Sequence, residues 1–162
     1  MTHIISGNFK KLKSVVTTHS SVQATSNLFN TFVTLNGSEI TYTPDITATN
    51  VAYEISFYGE KINNYMFLVG QLEIADDGDT NWSEINAKYR KNFGHSGSSS
   101  QSYRWYISWR FVVPTWSGSK QLRIRIAHPR ANDGINLHKM TDWDGSSATD
   151  QFCNTNLLVY SI

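Results

Sequence analysis

Asp142 and Asp144 flank Trp143, so in an extended segment both carboxylates share one side and the indole takes the other. Two carboxyl groups so placed are the equipment of glycosidic-bond hydrolysis, one protonating the leaving oxygen and the other assisting attack on the ring. No matched set of polar residues stands beside them. The stretch reads as a turn ended by Asp144-Gly145, with Trp143 packed as its anchor. Asp76, Asp77 and Asp79 offer oxygens to a hard cation but lack the later bidentate Glu of a calcium loop, and are expected to form a polar hairpin tip. The histidines His3, His19, His95, His128 and His138 never fall at a paired ligand spacing. His128 and His138 flank one loop, where they can meet in space, and are read as structural or surface groups. Gly-x-Ser-x-Gly is absent, and His95-Ser96-Gly97 opens onto a Gly/Ser-rich stretch, 94–102, rather than a rigid elbow. Cys153 is the single cysteine, so no intrachain disulfide forms and a small semi-buried role is expected. These residues predict no enzyme, no cofactor and no bound metal.

The elements that position these groups are strands. Tyr103, Trp105, Ile107, Trp109, Phe111 and Val113 alternate with Arg104, Tyr106, Ser108 and Arg110, which gives one aromatic and aliphatic face and one mixed polar face. Val51, Tyr53, Ile55 and Phe57 repeat the pattern against Glu54 and Ser56, and Leu122, Ile124 and Ile126 repeat it against Arg123 and Arg125. Weaker strands are expected at 31–35, 39–43, 65–75, 82–89, 135–140 and 156–162. Asn36-Gly37 carries a strong short hairpin signal, and Asp76-Asp77-Gly78-Asp79 and Trp116-Ser117-Gly118-Ser119 read as further turns. Eight or nine short strands without a βαβ rhythm predict an all-β antiparallel sandwich or jelly roll.

Composition sets the limits on function. The chain has 162 residues, 40% of them hydrophobic and 13% aromatic, enough for a real core and incompatible with a disordered chain. With 17% charged residues and a net charge of +1, it offers no electrostatic case for nucleic acid or an anionic membrane surface. No run approaches the length of a membrane span, and no signal-peptide pattern opens the chain. The expected route to the outside is assembly and lysis rather than export. Trp105 and Trp109 keep the apolar register of their strand and are expected in the core. Trp82 and Trp116 are the freer rings, and they are the candidate contacts for a glycan.

The two ends of the chain differ from its middle. Residues 1–30 are rich in Ser, Thr and Asn and carry Phe9, Lys10, Lys11 and Lys13, which reads as an arm that orders against a partner, ahead of a domain over 31–162. Leu157, Leu158, Val159, Tyr160 and Ile162 place apolar groups on both faces of the last strand. Such a strand is either central in its sheet or packed against another subunit.

Several short elements recur in a fixed order. Tyr42-Thr43-Pro44 precedes Val51-Ala52-Tyr53-Glu54-Ile55-Ser56-Phe57, and Arg104-Trp105 lies within the strand from Tyr103 to Phe111. Thr115-Trp116-Ser117-Gly118-Ser119-Lys120 runs on through Gln121-Leu122-Arg123-Ile124-Arg125, and Leu137-His138-Lys139-Met140-Thr141-Asp142-Trp143-Asp144-Gly145 closes the set. Across roughly residues 40 to 162 this order resembles the β-rich domains that end structural proteins of marine tailed phages. It departs from them in having Met140 where a Thr is usual and in following a short arm rather than a long fibre shaft. That family is similar in layout to the trimeric jelly rolls of the C1q and tumour-necrosis-factor type.

The resemblance implies a homotrimer with its last strand, Leu157 to Ile162, near the three-fold axis. It implies a virion protein that decorates a capsid or belongs to a fibre or tail, with capsid or tail proteins as partners and Phe9, Lys10, Lys11 and Lys13 as the docking arm. The alternative it leaves open is a carbohydrate-binding module at a tail-fibre tip, using Trp82 and Trp116 on host surface glycans. Within the closing motif a loop clamp is expected. Leu137 and Trp143 bury, Asp144 receives backbone N–H groups, Gly145 supplies a backbone conformation closed to other residues, and His138 bonds across the loop.

Overall fold

The computed structural model of the chain describes residues 11–25, 29–61, 65–96, 104–129, 134–140 and 151–162. In chain order the first strands are β1 (Leu12–Thr17), β2 (Gln23–Ala24), β3 (Val33–Thr34), β4 (Ile40–Tyr42), β5 (Asn50–Lys61) and β6 (Tyr65–Asp76). Next come β7 (Ser83–Glu84), a 3-10 turn (Ala87–Tyr89), β8 (Lys91–Ser96), β9 (Arg104–Pro114) and β10 (Lys120–Ala127). The last are β11 (Ile135–Leu137), β12 (Lys139–Met140), β13 (Gln151–Phe152) and β14 (Thr155–Ser161).

All ladders between these strands are antiparallel, and among the described residues they build two six-stranded sheets and a separate two-stranded pair, β12 with β13. The first runs β1-β14-β5-β9, with β11 continuing along β5 where β14 stops and β2 outside β11. In the second, β3 and β4 lie on one side of β10, β6 lies on its other side, and β7 and β8 lie beyond β6. The first sheet draws on both ends of the chain and the second on its middle, with strands that lie far apart in sequence paired as neighbours in each, which is the jelly-roll arrangement.

The inward faces follow from the period-two alternation. Val51, Tyr53, Ile55 and Phe57 of β5, Ile107, Trp109, Phe111 and Val113 of β9, and Leu122, Ile124 and Ile126 of β10 are all buried in one core. Edge-to-face pairs cross it, Tyr53 on Phe111 at 6.1 Å and Phe57 on Trp109 at 5.2 Å between ring centroids. Gly70 of β6 faces inward between Leu68 and Leu72, and a Cβ there would meet the Trp109 ring at 2.4 Å. The bare Cα is what lets that indole lie flat against the second sheet.

Several expectations are corrected. Asn36-Gly37 makes no hairpin: β3 and β4 both pair with β10, so the turn interrupts one strand instead of joining two. Gly37 takes φ +80, and its Cα lies against Thr17 and Thr155, where a side chain would not fit. Residues 82–89 hold only the short β7 before a 3-10 turn capped by the Asn86 side chain on Lys88 N–H. The expected loop at 94–102 begins inside β8, which pairs with β6. Residues 12–17, read as part of an arm, form β1, hydrogen-bonded along β14 from Leu12↔Tyr160 to Thr17↔Thr155. The turns at Asp76–Asp79 and before Lys120 are present, with Gly78 at φ +83 and Gly118 at φ +77.

Candidate functional site

The outward face of the first sheet is the strongest feature of the surface. Register places Leu12, Tyr160, Ala52 and Val112 in one row across β1, β14, β5 and β9. The next row is Ser14, Leu158, Glu54 and Arg110, and the third is Val16, Asn156, Ser56 and Ser108. Tyr106 continues the face along β9, edge-on to Tyr58 at 5.3 Å. Among the described residues, seven large hydrophobic side chains are exposed, and Leu12, Val16, Tyr106 and Val112 of this face are four of them. That concentration on one sheet face is what an interaction surface looks like.

A small polar network sits in the centre of the face. Arg110 Nε pairs with Glu54 Oε1 at 2.9 Å, the Tyr160 hydroxyl donates to the same oxygen at 2.6 Å, and Arg110 Nη2 donates to that hydroxyl at 3.0 Å. Charges are thus matched within the face, so covering it leaves no charge unpaired.

The residues of the last strand separate by parity. Leu157 and Val159 point inward and are buried in the core, which fixes β14 as a central strand between β1 and β5. They are therefore not contact residues for another subunit, a correction that the two-faced apolar pattern alone could not make. Leu158 is half-buried on the outward face, and Tyr160 is covered there by its own network. Ile162 ends the chain with its carbonyl accepting from Thr49 and Asn50 N–H, both at 3.0 Å. Ser161 Oγ, buried, bonds the Tyr42 hydroxyl at 2.7 Å.

The candidate glycan rings have different surroundings. Trp82 lies over the Arg123 guanidinium at 4.0 Å, above the outward face of the second sheet. There Glu73 is buried between Arg123 at 2.9 Å and Arg125 at 3.5 Å, with Gln71 donating to it at 2.8 Å. One face of Trp82 is thus already engaged. Trp116 packs partly against the core, edge-on to Tyr42 at 6.3 Å, and lines an open cleft of about 490 Å³ with Thr43, Pro44, Asp45, Ile46, Thr115, Ser117 and Gly118. Its indole N–H is buried and finds no acceptor among the described residues, while Ile46 on the rim is 98% exposed.

The clamp residues lie only partly within view. Leu137 and His138 are fully buried, whereas Trp143, Asp144 and Gly145, like Asp142, lie outside the described residues. His128 bonds Thr25 Oγ1 at 3.0 Å and the Phe67 carbonyl at 2.7 Å, while the ring partner of His138 is another histidine. His138 stacks on His19 at 3.8 Å with 10° between the ring planes. Thr155 Oγ1 joins the two rings, 2.9 Å from His19 Nε2 and 3.2 Å from His138 Nδ1, and Gln23 Oε1 lies 3.3 Å from His138 Nε2. Burial pulls His138 down to about 3, with the neighbouring His19 acting in the same direction, and burial lowers His19 as well. No sequence signal pairs these two residues; only the β1–β14 and β11–β2 ladders bring them together. Of the arm residues, Phe9 and Lys10 lie outside the described residues. Lys11 and Lys13 are exposed on the β1 edge, where Lys13 Nζ donates to Thr41 O at 2.9 Å.

Fold and surface together define an antiparallel jelly-roll domain with one apolar sheet face turned outward. No protein-family profile and no curated protein sequence matches the chain. Among solved structures, it is similar to the globular domain of zebrafish complement 1qA protein at 12% identity and TM-score 0.40, over 93% of this chain and 96% of that one. It is also similar to Eiger TNF from S. frugiperda at 8% identity and TM-score 0.34, over 81% of this chain and 89% of that one. The structure of infectious bursal disease virus Gx strain is similar at 10% identity and TM-score 0.41, over 94% of this chain and 38% of that one. Among the described residues, no helix is long and apolar enough to cross a membrane, and no group of three metal-binding side chains occurs.

Proposed function

We propose that this chain is a non-enzymatic structural protein of a phage virion, acting as a homotrimer in capsid decoration or in a fibre or tail. The observation that carries this reading is the gathering of Leu12, Val16, Tyr106 and Val112, with Leu158, on the outward face of the first sheet. A second copy of the chain is the partner that fits, because the face is apolar around a charge-matched centre and so suits an equally neutral copy of the same surface. The phage assignment rests on the ordered sequence elements from Tyr42 to Gly145. The exposed basic residues Lys11, just before β1, and Lys13, within it, are then the candidate contacts for other virion proteins, with Phe9 and Lys10 preceding them, although Lys13 already donates to Thr41 O.

The test places a charge on the face without touching the core. Leu158→Lys and Val16→Lys are expected to weaken assembly by at least about tenfold, read as a fall in solution mass, while the tryptophan emission of the core stays unchanged. Trimers persisting in both variants at low micromolar concentration would remove this face from the interface.

A second reading, a carbohydrate-recognition role, is favoured by the Trp116 cleft, which sets an aromatic ring and Pro44 among hydroxyl side chains. Flat apolar faces beside hydroxyls suit a neutral pyranose. Titration with neutral oligosaccharides is expected to shift tryptophan emission in the wild type and not in Ser117→Trp, which fills the cleft. An identical response in both proteins sinks the assignment.

A further inference from the structure

The His19–His138 stack adds side-chain ties at the end of the β1–β14 ladder, beside the two-residue pairing of β2 with β11. Thr155 of β14 bridges the rings, and His19 follows directly on the end of β1. Gln23 of β2 reaches His138, donates to Thr34 O at 2.6 Å, and accepts from Asn36 N–H at 2.9 Å, which links in the turn between β3 and β4. His138 itself sits at φ +67, a left-handed conformation that non-glycine residues rarely adopt, and it is fully buried. It is held there by its N–H to Tyr58 O at 3.0 Å and by Cys153 N–H to its own carbonyl at 2.8 Å.

We propose that this stack is a proton-operated latch, whose protonation releases β1 and its His19 extension from the rest of the sandwich. Two parallel rings at 3.8 Å cannot both carry a proton without strong repulsion, and the buried one is shielded from the solvent that would stabilise its charge. Among the described residues, the groups around them do not offset this. Gln23 and Thr155 are neutral, Tyr58 presents a carbonyl, and Cys153 and Lys139 adjoin His138 on the remaining side. The carboxylate lining the same cleft as His19 is Glu39, whose side chain is 61% exposed with Arg123 at 4.0 Å.

The sign follows from linkage. Opening returns the histidines to the ordinary value of 6.5, so the open state binds more protons than the closed one. The latch is therefore fully closed above that value and loosens as pH falls from it toward about 3. One histidine shifted in this way raises the opening constant about thirtyfold between pH of about 7.5 and about 5. Since β1 carries Leu12 and Val16, acid would also loosen the trimer; that consequence rests on the proposed interface, but the latch does not.

Amide hydrogen exchange on the full chain, corrected for intrinsic rates, tests it at these two pH values. Peptides covering 11–25 and the β1-facing strand β14 are expected to open about thirtyfold more at the lower pH, with β5 and β10 nearly unchanged. His138→Asn keeps a residue that tolerates the left-handed backbone but does not titrate, and it is expected to lose this response. An equal rise in β5 and β10, no rise at all, or a full response retained in His138→Asn overturns the latch. Should that variant not fold, titration of the wild-type imidazole resonances decides: His138 remaining neutral below about pH 5 in the closed state supports the latch, and ordinary titration near the 6.5 value without structural change overturns it. Exchange is read locally on each strand, so failure of the trimer and failure of the latch are seen separately.

Discussion

Val159→Asp is expected to yield no folded protein, whereas Leu158→Lys, one residue away, should fold. Val159 has no exposed surface and packs with Leu157, Tyr53 and Val51 in the shared core. An aspartate there must either hold a charge in apolar surroundings or take up a proton, and it also leaves a void where the valine methyls were. Changes of this kind cost about 4 kcal/mol or more, a large fraction of the 5–15 kcal/mol that holds a typical domain together. Circular dichroism and soluble yield check it. A folded Val159→Asp protein of altered mass would mean that β14 lies at a subunit interface after all, contrary to its position between β1 and β5.

Gly70→Ala is expected to damage the packing between the two sheets. The added Cβ would stand 2.4, 2.8 and 2.9 Å from three atoms of the Trp109 ring, where ordinary contact is about 3.5–4 Å. Neither group yields cheaply. Trp109 is held by Phe57 on β5, and the Gly70 backbone is paired to Ile126. Overpacking of this degree costs about 1–3 kcal/mol, lowering the unfolding midpoint and moving the tryptophan emission. Combined with Trp109→Phe, the cost should be smaller than the sum of the two single changes, since the smaller ring leaves room. Strict additivity would show that the close approach of Gly70 and Trp109 is not what limits the site.

How much of this was legible beforehand depends on where each strand buries its side chains. β5, β9 and β10 announce themselves because each has a solid inward face set against an outward one that mixes charged and hydroxyl residues with the few apolar ones. β1 reads as an arm because its pattern is inverted: Leu12 and Val16 face outward, and Val15 alone among its inward residues is a large apolar side chain packed on the core. An exposed apolar face thus hides a strand from the sequence and marks a surface in the structure. β8 escapes for another reason, being an edge strand in which Phe93 is the core-packing residue among polar neighbours and Gly94. Asn36-Gly37 carries the local chemistry of a hairpin, but pairing is decided by β10, which takes both flanking strands on the same side.

The site was legible to a lesser degree. The sequence of the last strand is apolar on both faces, but only the register with β1 and β5 shows that Leu157 and Val159 serve the core and Leu158 the surface. His19 and His138 carry no spacing signal, because stacking requires two ladders and a left-handed residue to bring them together. Trp82 is one of the two freer rings by sequence, and its engagement with Arg123 depends on the chain folding back after the Asp76–Asp79 turn.

The measurement that bears most directly on this account is the mass of the purified wild-type chain in solution, by light scattering at micromolar concentration. The account predicts a value near three times the chain mass of 18.4 kDa. A single-chain mass that stays constant as concentration rises would contradict it, leaving the apolar face of the first sheet without the self-association that gives it a function.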